Sequence, residues 1–291
     1  MKEDYTIGFE EWADACPYAH VQNENMEYEV EPDEISLRSF KVRDCLENHI
    51  WNEEGKLDLR VRRALMDVSD DFWETCNVRW VKPKTVLLTG SICNYNWSEY
   101  SDVDVHVVVD FSEVHDNVEF VQEYFDEKKN EWNSEHKKLN IYGFPIEMYV
   151  ENVGAETVSG GVYDLWKNEW VKVPKHGRIK PIMLNKYGIK QVASDVMTEI
   201  DDLCDDFKDE EDLHRIEGIG DKASELLQKI KAIRKVGLKK SGESSSGNIA
   251  YKVIKRSGYL DKLWKLSADV YDKINSINEE RSFCQAVSAM F

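Results

Sequence analysis

Two acidic residues at the start of an apolar run, preceded by a Gly-Ser pair, have the clearest chemical potential in this chain. The apolar residues 85–89 end at Gly90 and Ser91, and after a spacer of ten residues Asp102 and Asp104 open the next apolar run. Alternate residues of a strand share a face, so the two carboxylates are predicted to point the same way. Neighbouring carboxylates repel unless a cation lies between them, and Mg²⁺ is the usual one. The Gly-Ser turn could offer N–H groups and a hydroxyl to phosphate oxygens.

A third carboxylate lies in another predicted strand, residues 141–150. A lone glutamate inside an apolar strand is costly to bury without a partner, so Glu147 is expected beside the aspartate strand. There it would complete a site for two metal ions about 3.5–4 Å apart. Glu151 is on the same face of the predicted strand as Glu147 and is the alternative ligand. An Asp-x-Asp alone is typical of a turn cap, but its combination with Gly-Ser, flanking strands and Glu147 favours a metal site.

This arrangement resembles the signature of the polymerase-β-like nucleotidyltransferase superfamily, which combines Gly-Ser, a spacer, Asp-x-Asp and a distant acidic residue on a strand. Within that superfamily, the chain resembles the predicted nucleotidyltransferases of bacteriophage and viral genomes more closely than the characterised enzymes. Other matching segments extend the resemblance over roughly residues 35–275. They are Tyr163 to Trp170, Gly237 to Glu243 and Lys252 to Tyr259.

The resemblance implies an α+β fold in which a nucleotidyltransferase module with a mixed sheet precedes a C-terminal helical domain. We expect an acidic N-terminal arm at 1–34, the catalytic domain at 35–175 and the helical domain at 182–282. The nucleotide would bind in the cleft between the last two.

The resemblance also implies a role for each residue of the motif. Asp102 and Asp104 would bind two Mg²⁺ (or Mn²⁺) ions, and Glu147 would bind the catalytic ion and help to activate the acceptor hydroxyl. Gly90 and Ser91 would hold the β- and γ-phosphates of an NTP, with ATP among the candidates. Glycine fits that position because a side chain would block close approach of the backbone.

Charge is distributed unevenly along a chain whose net charge is −18. Residues 1–34 contain eleven acidic residues and one lysine, whereas residues 229–265 contain eleven Lys or Arg and two acidic residues. The second segment could bind a triphosphate or RNA, or be a solvated helix surface. Within it, Lys252 and Arg256 are four residues apart on one predicted helix face, and by analogy with related polymerases they would reach the triphosphate.

Several other residues have a functional and a structural interpretation. Tyr95 and Trp97 in the spacer could stack on a base, although packing is the more common role of aromatic residues. His106 could orient the site or be a partly buried histidine with a local partner. In the helical region, Tyr259 could stack on a base or pack. Gly218-Ile-Gly220 could belong to a helix-hairpin-helix motif that binds DNA, but a single Gly-x-Gly favours a simple helix break.

Three functions are compatible with these residues. The first is template-independent transfer of NMP from an NTP to an acceptor hydroxyl, an RNA 3′ end being favoured by the basic segment. The second is synthesis of cyclic or linear oligonucleotide signals, or nucleotidylylation of a protein. The third is partner binding by a non-catalytic transferase fold. The sequence leaves the oligomeric state open.

Other sequence features bear on the cellular location of the protein. It contains no apolar run of the roughly 18–20 residues that span a bilayer, and Met1–Tyr5 does not begin a secretory signal. The six cysteines are scattered, which favours reduced thiols over disulfides or a zinc site. We therefore expect a cytoplasmic protein without membrane contact, in the host cytoplasm if the chain is viral.

Overall fold

The computed structural model describes residues 31–157, 159–176, 186–242 and 245–276. The chain divides into two compact units, one formed by Arg38–Ile182 and the other by Met1–Leu37 with Met183–Phe291. The predicted α+β fold is confirmed, since the first unit contains a mixed sheet and the described part of the second is mainly helical. Most of the predicted acidic arm, residues 1–30, lies outside the described residues.

The sheet of the first unit has the strand order β3-β4-β2-β1-β5-β6. Its strands are β1 Thr85–Thr89, β2 Val103–Val109, β3 Asn140–Ile141, β4 Phe144–Asn152, β5 Val162–Asp164 and β6 Glu169–Lys172. The neighbours β2 and β4 are parallel, and the other neighbouring strands are antiparallel. Parallel neighbours need a long crossover, which in this chain includes helices of the segment between the two strands.

Three helices of this unit are α1 Leu59–Thr75, α2 Phe111–Val114 and α3 Val118–Glu135. The Asp58 side chain caps α1 by accepting from two backbone N–H groups, and Val61, Leu65 and Phe72 form the buried face of the helix. Helix α1 contacts β2, and α3 contacts β4. Both helices therefore cover the face of the sheet that buries Val103 and the other odd-numbered valines of β2.

The second unit contains α4 Lys186–Lys208, α5 Leu213–Ser241, α6 Ser246–Arg256 and α7 Tyr259–Asn275. Helix α5 contacts both α6 and α7, and the short 3₁₀ turn Pro32–Glu34 packs on α4. The predicted helix break at Gly218 to Gly220 is wrong, because α5 continues through it. A Cβ atom at Gly220 would lie 2.8 Å from Cγ1 of Val270, so this glycine permits close approach of α5 and α7. None of the described helices is both long and apolar enough to cross a membrane.

Candidate active site

The Gly-Ser turn directly follows β1 and is tied to the end of the spacer. Gly90 has φ 78° and ψ −164°, a conformation that is essentially restricted to glycine. The Ser91 hydroxyl donates to Ser101 Oγ over 2.8 Å, and the same Oγ accepts the Ser98 N–H over 2.9 Å. Ser101 therefore closes the spacer loop and places Asp102 next to the turn.

Asp104 lies against the turn through tight packing. It is the antiparallel neighbour of Thr89, the residue before Gly90. A Cβ atom at residue 90 would lie 1.9 Å from Oδ2 of Asp104, closer than any real contact. The Asp104 carboxylate thus occupies the space that a side chain at residue 90 would need.

Glu147 lies directly opposite Asp104 in the parallel pair of β2 and β4. The strand of Glu147 therefore adjoins the aspartate strand, as the sequence predicted. The alternative ligand Glu151 is opposite Val108, and its Oε2 lies 2.9 Å from Nδ1 of His106. The structure thus gives Glu151 a histidine partner and makes Glu147 the cross-strand neighbour of Asp104.

Tyr149 is a residue of this face that the sequence interpretation missed. Its hydroxyl donates to Glu147 Oε2 over 2.5 Å. Burial raises the pKa of Tyr149, and the carboxylates of Asp104, Glu147 and Asp102 raise it further. All three predicted ligands therefore act electrostatically on one hydroxyl. The sequence did contain a signal for Tyr149, because a residue two positions after Glu147 lies on the same face of the strand.

The donor chemistry of these residues suits magnesium. Asp102, Asp104 and Glu147 offer only carboxylate oxygens, the ligands that hard divalent cations prefer. Among the residues that the structure describes, no three His, Cys, Asp or Glu side chains are grouped closely enough to hold a metal ion as they stand. The three-carboxylate metal site stays a prediction.

The aromatic residues of the spacer have packing partners. Trp97 donates from Nε1 to the Cys45 carbonyl over 2.8 Å, and the Arg43 guanidinium lies 4.6 Å from the centroid of its ring. Tyr95 meets the His176 ring edge-on, with 4.8 Å between centroids. These contacts favour the packing interpretation of both residues over base stacking.

The predicted triphosphate ligands of the helical region belong to the other unit. Lys252 and Arg256 are both half-buried and lie one turn apart on α6. Their contact with a triphosphate stays a prediction. Tyr259, at the start of α7, donates its hydroxyl to Asp201 Oδ2 over 2.8 Å, which favours packing over base stacking.

Comparison with known proteins adds little to this geometry. No family model matches the chain. No curated protein matches it either. A structural match is a STING-associated CdnE c-di-GMP synthase from Capnocytophaga granulosa, with 8% sequence identity and a TM-score of 0.20 over 75% of this chain and 84% of that one. Because this similarity is so low, conclusions about function rest on the residues described above.

Proposed function

We propose that this chain is a metal-dependent nucleotidyltransferase that moves NMP from an NTP to an acceptor hydroxyl. The observation that supports this most directly is the packing of Gly90 against Asp104, with Glu147 opposite Asp104 on the next strand. A backbone turn suited to phosphate oxygens thereby adjoins carboxylates suited to Mg²⁺.

Each part of the site would contribute a separate effect. Magnesium bound by Asp102, Asp104 and Glu147 would neutralise charge on the reacting phosphate and lower the pKa of the acceptor hydroxyl. Gly90 would let the backbone approach the β- and γ-phosphates without a side chain in the way. The Ser91 hydroxyl donates its single proton to Ser101 Oγ in the structure, so it would donate to those phosphates by turning away from Ser101.

The acceptor that we propose is the 3′ end of an RNA. On the helical unit, Lys231 Nζ lies 4.8 Å from the ring of Trp264, and the Arg234 guanidinium lies 4.4 Å from the ring of Tyr251. Lys231 and Arg234 are adjacent on α5 at i and i+3, so the four side chains form one basic–aromatic strip across α7, α5 and α6. Alternating cations and aromatic rings are typical of surfaces that bind single-stranded nucleic acids.

A labelled-NTP assay of the purified protein tests this function. Each of the four NTPs is incubated with Mg²⁺ or Mn²⁺, with and without bulk RNA. Label is expected to move onto RNA, and the double variant Asp102→Ala/Asp104→Ala is expected to abolish the transfer. Asp110→Ala is the matched control, because Asp110 follows the other end of β2 and caps α2 through the Ser112 N–H.

The products distinguish the alternatives. If label appears without RNA in a small, phosphatase-resistant product, the reaction is oligonucleotide synthesis and not transfer to an RNA end. Label on the protein itself would indicate nucleotidylylation. Absence of any labelled product, together with absence of nucleotide-induced thermal stabilisation, would contradict an enzymatic function.

A further inference from the structure

Tyr149 lies two residues after Glu147 on the same face of β4, and the two side chains are joined by a short hydrogen bond of 2.5 Å. We infer that Tyr149 is a positioning residue that fixes the orientation of the Glu147 carboxylate. By engaging Oε2, it leaves Oε1 as the oxygen for a divalent cation. This inference rests on the proposed function, because it concerns one of the proposed metal ligands.

The ring of Tyr149 is held on more than one side. His106, its cross-strand neighbour, stacks on it with 4.7 Å between centroids and 17° between planes. His106 is in turn held by Glu151, and Lys129 Nζ lies 5.0 Å from the centroid of the tyrosine ring. A ring fixed in this way presents its hydroxyl at one place, so the hydrogen bond to Glu147 has a defined direction.

The hydroxyl suits this role because it supplies a donor where the carboxylate supplies only acceptors. The Tyr149 O–H donates to Glu147 Oε2, and an ionised carboxylate has no proton to give in return. The hydrogen bond therefore runs from the phenol to the carboxylate.

Orientation of a glutamate ligand affects metal affinity. Glutamate has three rotatable side-chain bonds, and fixing them on metal binding costs conformational entropy. A partner that fixes the carboxylate beforehand removes part of that cost. Loss of such partners of metal ligands typically weakens metal binding about 10–100-fold.

Binding of Mn²⁺, measured by electron paramagnetic resonance in the presence of a non-hydrolysable NTP analogue, tests the inference without turnover. Tyr149→Phe keeps the ring and removes only the hydroxyl, and Mn²⁺ binding is expected to weaken about 10–100-fold. Tyr124→Phe is the matched control, because it also removes one hydroxyl from a half-buried tyrosine, here a donor to the Cys76 carbonyl over 2.7 Å. This control is expected to bind Mn²⁺ as the wild type does.

A double-mutant cycle with Glu147→Gln separates positioning from a general structural effect. If Tyr149 acts through Glu147, Tyr149→Phe weakens binding no further in the Glu147→Gln background. Additive losses, or wild-type Mn²⁺ affinity in Tyr149→Phe, would overturn the inference and leave the proposed function intact. Wild-type affinity in Asp104→Asn would instead show that the carboxylate metal site is wrong, and would overturn both.

Discussion

The Asp104 carboxylate fills the space beside the α-carbon of Gly90, where a Cβ atom would lie 1.9 Å from Asp104 Oδ2. Gly90→Ala is therefore expected to displace Asp104 and to lower the rate of nucleotidyl transfer about 100-fold, the usual cost of misplacing a reacting group by about 1 Å. The backbone strain at φ 78° adds about 1–3 kcal/mol of lost stability. Steady-state kinetics and urea unfolding measure the two effects.

Gly143 provides the control for that substitution. It has φ 88°, so alanine is strained there too, but a Cβ atom would meet nothing within 4 Å. Gly143→Ala is expected to lose about 1–2 kcal/mol of stability and to keep full activity. Equal activities of the Gly90 and Gly143 variants would contradict the close coupling of the turn to Asp104.

The basic–aromatic strip is expected to bind single-stranded RNA. The Trp264 side chain is 51% exposed with Lys231 over its ring, so its indole is accessible for base stacking. Trp264→Ala is expected to raise the Kd for single-stranded RNA about tenfold. This change corresponds to about 1.4 kcal/mol, which lies within the range of about 1–3 kcal/mol that one stacked base contributes. Fluorescence anisotropy with a labelled oligonucleotide measures this change.

Tyr271 is a suitable comparison, because it lies on the same helix and is 67% exposed but is not part of the strip. Tyr271→Ala should leave the Kd unchanged. Charge-removing variants of Lys231 and Arg234 should each reduce the slope of log K against log salt by about one. Equal effects of the Trp264 and Tyr271 substitutions would show that RNA does not bind at the strip.

The cysteines are expected to differ sharply in reactivity. Burial raises the pKa of the Cys76 thiol to about 12, and burial followed by the Asp104 carboxylate raises that of Cys93 well above its usual value. Because the thiolate is the reactive form, iodoacetamide at pH 8 should modify the exposed Cys45 and spare Cys76 and Cys93 until the protein unfolds. Peptide mass spectrometry after a timed pulse measures this order. Modification of Cys76 as fast as Cys45 in folded protein would contradict its burial.

The same thiol contributes to the pH dependence of stability. The unfolded Cys76 thiol ionises near pH 9.0 and the folded one near 12, so the folded state binds more protons in that interval. The contribution of the Cys76 thiol to the free energy of unfolding is therefore fully present below pH 9 and is lost as the pH rises towards 12. In Cys76→Ala the fall in unfolding free energy above pH 9 should be smaller than in the wild type.

The alternation of apolar and polar residues was enough to predict both site strands and their faces. Successive side chains of a strand point to opposite sides, so burial of Val103 and Val105 fixes the direction of Asp104 from local geometry alone. The turn between β5 and β6 also has a local cause, because Asn168 has φ 57° and asparagine tolerates this conformation better than most residues. The helix break predicted at Gly218 to Gly220 was wrong because α5 continues through both glycines. Gly220 serves the packing of α5 on α7, which depends on a distant residue, Val270, whereas a Cβ atom at Gly218 would meet nothing within 4 Å.

The sequence by itself determined which residues have the chemistry of this site, since residue type, spacing and strand parity are properties of short segments. Only the tertiary structure placed Glu147 opposite Asp104 and Glu151 opposite Val108, because the parallel register of β2 and β4 joins residues more than forty positions apart. It also placed Tyr149 on Glu147 and Gly90 against Asp104. Such distances depend on how the whole sheet packs, and no local pattern of residues encodes them.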